Sequence, residues 1–509
     1  MQNFLRLVFP LILLSSSGVA VFSAADLTDP YQVLNQHYSA IGGLDNLKAA
    51  QTQYFEADFS LVGTGLEGTV RQWSRSPVQQ RQELDLTVIK QTSGDNGEVA
   101  WVVDTNGKLK VMRDEETVKQ RKINGLMAQY EHLDPGSEIF CVSLEAGEEV
   151  EGEDCYRIRI SNSLDSSEWV YLISKETLLM KKSIMYSPDG GQMHNSFSDY
   201  REVDGVLYAF KQNMKTVPTH QVQELTMTRL ETNLEIDDSL FDPPAEEGED
   251  FAFANGSSSE NIQFLFHENH IYLEVTVNCD KQLWIFDSGA GMTVIDKDYA
   301  AELGLAFEGS MTGQGAHNTV DYTFVTIPGL QVEGITIDQQ RAIAIDLAHL
   351  FNQLSDLKVA GILGYDFLSR FVSRIDYANE RISFYHPDTF EYVGSGRVID
   401  APLNAQNMFG IPMTVEGGME GVWRLDTGAS GSSFHFHFAE ENGLLNRPGT
   451  ERQSFGAGGS NVSRVAEFSG AEVAGFDLPP LQISIPSNAG HGAMAEREKK
   501  GQVSSYSQN

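Results

Sequence analysis

The chain of 509 residues has few cysteines, few basic residues and no long apolar run beyond its amino-terminal stretch. Three cysteines, Cys141, Cys155 and Cys279, are too few for a disulfide scaffold. In an oxidising compartment Cys141 and Cys155 are the expected pair, across a hairpin, with Cys279 left free. Lys and Arg number 36 against 71 Asp and Glu, a formal net charge of -35, which excludes the clustered basic surface that nucleic acid requires. The charge favours solubility and repels acidic ligands. No internal stretch approaches the roughly 20 apolar residues that cross a bilayer. The segment from Met1 to Ala25 has one basic residue, Arg6, then an apolar stretch from Leu7 to Leu14, then small residues at Ser23, Ala24 and Ala25. That is the pattern of an export signal removed by cleavage, so a periplasmic or secreted protein is expected.

What is present divides the chain. Residues 26–242 read as short alternating strands, among them "YFEADFSLVG", "CYRIRIS" and "EWVYLIS", with turn signals DTNG and SPDGG. A curved antiparallel sheet is expected there, with helices at "PYQVLNQHYSAIGG" and near "INGLMAQY". Residues 243–260 are acidic, then small and polar, as in a linker. Beyond them the chain repeats itself. Trp284, Asp287, Gly289 and Ala290 match Trp423, Asp426, Gly428 and Ala429, all at one constant offset, which predicts two similar lobes, 261–394 and 395–509. The fold class expected is mainly β, an α+β sheet domain followed by two β-barrel lobes, the second incomplete.

Asp-Ser-Gly at 287–289 and Asp-Thr-Gly at 426–428 each follow a Trp-bearing apolar strand and precede a helix-like stretch ending near Gly-Leu. One such tripeptide is a weak signal; two in matching contexts are fairly specific. Residues 260–500 resemble the retropepsin-like and pepsin-like aspartic proteases, whose site is made of two such loops facing each other. The resemblance implies Asp287 and Asp426 as a catalytic dyad. Ser288 and Thr427 would bond across the loops, and Gly289, Ala290, Gly428 and Ala429 would complete them. Ile362, Leu363 and Gly364 would pack beneath the first loop, and Gly313, Gly315, Gly456 and Gly458 would belong to two flap hairpins. Carboxylates about 3 Å apart cannot both ionise, so the pair shares a proton. One member activates a water while the other protonates the peptide carbonyl. Pepsin-like enzymes usually have Ser or Thr where this chain has Ala290 and Ala429; without that hydroxyl the dyad should work at mildly acidic to neutral pH rather than near pH 2.

The spacing from Asp287 to Gly364, counted again from Asp426, leads to about residue 503, where the chain reads "GQVSSYSQN" with no apolar-apolar-Gly. An alternative is therefore a homodimer in which two copies of the first lobe bring their Asp287 side chains together. The segment from about 30 to 242 resembles exported lipoprotein-sorting and carrier proteins through "HYSAIGGLDNLKAAQTQYFEADF" and "YREVDGVLYAFKQ", which implies an acyl-lipid, lipoprotein or apolar-peptide ligand. No cofactor or metal is expected: His267 and His270 in "FHENH", and His435 and His437 in "FHFHF", are pairs without a third ligand. The leading expectation is an exported aspartic endopeptidase acting on peptide or protein. The rivals are a non-catalytic peptide-binding module and a lipid or lipoprotein carrier.

Overall fold

The alternating burial of Phe55, Ala57, Phe59 and Leu61 along the strand Thr52–Leu61 shows how the first half of the chain folds: every second side chain enters a core and the rest face out. The computed structural model describes residues 27–86, 88–113, 115–187, 191–217, 219–245, 248–315, 319–347, 357–403, 407–473, 475–487 and 503–506. The export signal expected at 1–25 lies outside them. Among the described residues no helix is long and apolar enough to cross a membrane. The residues up to 245 form one compact unit and those from Gly248 another.

The first unit is one antiparallel sheet. Counted along the chain, its strands lie in the order 6-5-4-3-2-1-13-12-11-10-9-8-7, so the first and last pair at the centre and the sheet stays open. Both expected helices are present, Pro30–Ala40 and Glu115–Ala128. The first begins where Asp29 accepts from the Tyr31 amide at 3.0 Å and Pro30, having no N–H, needs no acceptor. It buries Val33, Leu34, His37 and Tyr38. The expected disulfide does not form. Cys141 and Cys155 do lie on the paired strands Phe140–Val150 and Glu153–Asn162, but the register puts Cys141 opposite Ser161 and Cys155 opposite Glu148. The strand between Cys141 and Glu148 keeps them about 23 Å apart at roughly 3.3 Å per residue, far beyond the reach of a disulfide. The acidic run of this hairpin supplies ion-pair partners, Glu145 for Arg157 and Arg159, and Glu153 for Lys181.

The second unit carries the internal repeat. In the first lobe β1 (His270–Val277) and β2 (Asp280–Phe286) form a hairpin, followed by β3 (Val294–Asp296), β4 (Glu308–Gln314), β5 (Thr319–Ile327), β6 (Gln340–Ile345) and β7 (Gly361–Leu363). In the second lobe the counterparts are β8 (Phe409–Val415), β9 (Met419–Leu425), β10 (Ser432–Ser433), β11 (Thr450–Gly456), β12 (Gly459–Phe468), β13 (Leu481–Pro486) and β14 (Val503–Tyr506). The sheet orders match strand for strand, β1-β2-β7-β3-β6-β5-β4 and β8-β9-β14-β10-β13-β12-β11. Each lobe is an open path of strands rather than a closed barrel.

Val503–Tyr506 fills the strand position that the spacing places near residue 503. It runs parallel to β9 with Trp423 opposite Ser504, as β7 runs parallel to β2 with Trp284 opposite Gly361. The apolar-apolar-Gly pattern is absent there, and the first lobe's next helix and closing hairpin have no counterpart among the described residues.

Trp284 and Trp423 are both 0% exposed and anchor the two cores. A Cβ at Gly361 would lie 2.3 Å from the Trp284 ring, so only glycine lets β7 pass over it. In the second lobe Glu416 takes both guanidinium nitrogens of Arg447 at 2.9 and 3.1 Å, while Arg447 lies 4.0 Å over the Phe468 ring. The paired guanidinium, with the Ser469 amide, holds the Glu416 carboxyl down to about 2. The expected linker 243–260 includes two short strand segments. Phe251–Phe253 pairs with Ile335–Ile337, and Ser258–Gln263 pairs with Arg381–Tyr385 of the closing hairpin, because Phe251 and Ile262 bury side chains in the first-lobe core.

Candidate active site

β2 and β9 deliver their aspartates in the same way. β2 ends in three buried residues, Trp284, Ile285 and Phe286, and β9 in the buried Trp423 followed by the half-buried Arg424 and Leu425; each strand then breaks into a turn that starts with Asp287 or Asp426. The Asp287 amide donates to the Leu363 carbonyl of β7 at 3.0 Å. Beyond it the Gly289 amide donates to Asp287 Oδ1 at 2.7 Å, and the Gly428 amide to Asp426 Oδ1 at 2.9 Å.

The two loops interlock. The Ser288 amide donates to Thr427 Oγ1 and the Thr427 amide to Ser288 Oγ, both at 3.0 Å. Each hydroxyl then donates onward to the other lobe, Ser288 Oγ to the Leu425 carbonyl and Thr427 Oγ1 to the Phe286 carbonyl, both at 2.9 Å. The bonds made by Thr427 and by the two amides are buried, and that from Ser288 Oγ is partly so. Both amides and both hydroxyls therefore depend on the opposite loop rather than on water.

The glycines show how close the carboxyls are. A Cβ at Gly289 would sit 2.4 Å from the Asp426 carboxyl, and one at Gly428 would sit 2.2 to 2.4 Å from that of Asp287. Each aspartate therefore lies against the opposite loop's glycine, where any larger residue would displace it. Asp287 holds its proton well above the ordinary carboxylate range, first because it is withdrawn from water and second because the Asp426 charge faces it; the Gly289 amide opposes this. Ala290 and Ala429 follow in the two loops and bring no hydroxyl.

Beneath the first loop Leu363 is fully buried, Ile362 is half-buried, and Gly364 touches the loop itself. A Cβ on Gly364 would lie 2.3 Å from the Met292 carbonyl, and the Tyr365 amide donates to the Ala290 carbonyl at 2.8 Å. Asp366 was not foreseen as part of the site. Its buried carboxylate accepts from the Thr293 amide and hydroxyl at 2.8 and 2.6 Å and from Gln340 at 2.8 Å, which pins the chain where it leaves the loop. An acidic residue inside the otherwise apolar "GILGYDFL" was the available signal, since a buried carboxylate needs such donors.

Gly313 lies in β4 and Gly315 just after it; Gly456 ends β11 and Gly458 sits in the tight turn before β12 at φ 91°. Both hairpins occupy the outer end of their lobe's sheet. A Cβ at Gly313 would lie 2.7 Å from the buried Tyr322 ring, which crosses from β5. Among the histidines, His267 and His270 face each other across the hairpin joining Leu265–His267 to β1; the side chain of His437 lies outside the described residues. No group of three metal-ligating side chains occurs among the described residues.

Comparison with known proteins gives two family models. One, described as "Aspartyl protease", matches residues 273–367, which include β2, the Asp287 loop and β7. The other, described only as "Uncharacterized protein", matches residues 87–245. No curated protein matches. Among solved structures, a DUF1329 family protein from Desulfovibrio piger is 15% identical, with a TM-score of 0.30, over 42% of this chain and 98% of its own. A putative outer membrane lipoprotein-sorting protein domain from Vibrio parahaemolyticus is 14% identical, with a TM-score of 0.29, over 42% and 95%. A retropepsin-like aspartic protease from Rickettsia conorii is 20% identical, with a TM-score of 0.20, over 25% and 92%.

Proposed function

We infer, from the aspartyl protease domain at residues 273–367 and the interlocked loops around Asp287 and Asp426, that the protein is an aspartic endopeptidase whose dyad forms within one chain. The observation that carries this reading is the contact of each carboxyl with the opposite loop's glycine. In this arrangement the two carboxyls share one proton, and the protonated member donates it to the scissile carbonyl oxygen. The ionised member takes a proton from the attacking water. The tetrahedral intermediate collapses when the amine leaves with a proton, and no covalent enzyme intermediate forms.

Substrate would lie extended between the lobes, with alternate side chains on opposite sides and the β4–β5 and β11–β12 hairpins closing over it. The amino-terminal unit, an open antiparallel sheet with the helix Pro30–Ala40 against it, would bind an acyl chain or an apolar segment of the substrate. Export of the mature chain is part of the same reading.

The test is cleavage of a mixed peptide library by the full chain, read by mass spectrometry, against Asp287→Asn and Asp426→Asn. Both variants should be inactive while keeping the wild-type circular dichroism. An Asp426→Asn variant that cleaves normally would replace the single-chain dyad by two copies of Asp287 in a homodimer. Cleavage unaffected by either substitution would overturn the reading.

A further inference from the structure

The stretch "FHENH", His267 among its residues, has the look of a metal-binding pair, yet its place in the fold gives it another task. Leu265–His267 and β1 form a tight hairpin whose two turn residues, Glu268 and Asn269, have φ of 50° and 63°. Left-handed backbone at both positions is what a twisted two-residue hairpin demands, and asparagine tolerates it well. The turn is aimed at the other lobe. Asn269 Nδ2 donates to the Ser430 carbonyl at 2.9 Å. Next to it His270 is only 7% exposed, and its Nδ1 has no hydrogen-bond partner among the described residues. The backbones of Glu268 and Gly428 and the Asp426 carboxyl are near enough to act on the ring. Gly428 and Ser430 both belong to the loop that follows Asp426.

This contact breaks the symmetry of the repeat. At the offset that relates Asp287 to Asp426, the positions matching Asn269 and His270 are Met408 and Phe409, whose side chains carry no hydrogen-bond donor. A side-chain tether of this kind therefore runs from the first lobe to the second loop and has no like partner in return. The first loop is pinned from its own lobe by Tyr365 and Asp366, residues that follow β7, and the tether adds a hold on the second.

We propose that His270, together with Asn269, is a positioning residue that holds the Gly428–Ser430 backbone from the opposite lobe and thereby sets where Asp426 stands relative to Asp287. The proposal rests on the hydrolytic reading of the dyad, but half of its test does not. An error of about 1 Å in a reacting group can cost on the order of 100-fold in rate, so a loosened loop should lower turnover much more than binding.

The experiment uses the full chain as wild type, His270→Ala, His270→Gln and Asn269→Ala. Amide hydrogen exchange of peptides spanning 425–432 and 286–293 is followed by mass spectrometry. The expected result is at least tenfold faster exchange of 425–432 in His270→Ala, unchanged exchange of 286–293, a smaller change in Asn269→Ala, and recovery in His270→Gln, whose amide can still donate to a carbonyl. In peptide cleavage His270→Ala should lower kcat roughly 10- to 100-fold with KM within twofold, and His270→Gln should restore most of it. Unchanged exchange of 425–432, or equal loosening of both loops that His270→Gln does not repair, would overturn the proposal. If the wild type cleaves no peptide the hydrolytic reading falls, and the exchange result alone decides whether His270 holds the loop.

Discussion

The first lobe buries Phe367, Phe371, Ile382 and Phe384 from the segment after β7, while the core of the second, built around Trp423, Phe434 and Phe468, reaches as far as Ile485 among the described residues. Among those residues the same strand order is backed by two depths of support. In the first lobe Asp366, Arg370 and Asp250 continue the support outward: Arg370 is fully buried, donates from Nε to Asp250 Oδ1 at 2.9 Å, and reaches the Asp366 carbonyl. A duplicated architecture does not oblige both copies to be equally stable; it obliges them to meet correctly at the two loops.

The sharpest way to break this comparison is at the dyad. Asp287→Asn and Asp426→Asn should each lower kcat by about 10² to 10⁴-fold, measured on any peptide the wild type cleaves. Asp287→Asn should also raise the melting temperature, and the gain should grow as pH rises above about 4. The sign follows from the raised folded pKa of Asp287: between its ordinary value and the raised one the folded chain binds more protons than the unfolded, so stability falls with pH, and asparagine removes that loss. The pH-rate profile of the wild type should peak well above pH 2 and decline as Asp287 loses its proton.

The next test distinguishes the lobes directly. Asp366→Ala strands the Thr293 amide and hydroxyl and Gln340 in a buried site, and should cost about 3 kcal/mol by denaturant unfolding, given roughly 1 to 3 kcal/mol for each group left unpaired and partial relaxation. In the unmutated chain the amides of β8, β9 and β13 should exchange faster than those of β1, β2 and β6, since the second lobe has the thinner support. Equal protection would mean that the difference in cores carries no energetic weight.

At the loops Ser288→Ala leaves the Thr427 amide without an acceptor and Thr427→Ala leaves that of Ser288, each about 1 to 3 kcal/mol. The double variant should lose less than the sum, because both act on one interlocked unit. The smallest effect is expected at Glu416, where surface screening limits the pair with Arg447 to about 1 kcal/mol. Because its folded pKa is depressed to about 2, that contribution is present above the ordinary value near 4.5 and disappears as pH falls toward 2. Glu416→Gln should flatten this part of the second lobe's acid profile, read by the melting temperature at successive pH values.

Much of this was legible in the chain. The two Asp-Ser/Thr-Gly turns, their matched Trp strands and the lobes' duplication follow from a repeat that survives in the sequence because strand, turn and close approach each restrict the residues allowed. The spacing from Asp287 to Gly364 pointed to about residue 503, but the missing Ile-Leu-Gly pattern argued that the strand was absent; Val503–Tyr506 nevertheless takes that place, since a parallel strand requires a backbone in register more than any one side chain. The cysteine pairing was not legible, because a hairpin's existence says nothing of its register. The role of His270 was hidden for a related reason. A histidine one residue past a turn is informative only once the fold shows which carbonyl of the other lobe it meets. The strand at Ser258–Gln263 was not legible, because small polar residues such as Ser258 and Ser259 suit a linker and the edge of a short sheet alike.

Because Ser288 and Thr427 each finish the backbone of the other lobe, neither loop is complete in advance of its twin. A chain cut between its lobes would lose all four of these bonds at once, so the closed interlock reports that both lobes have folded.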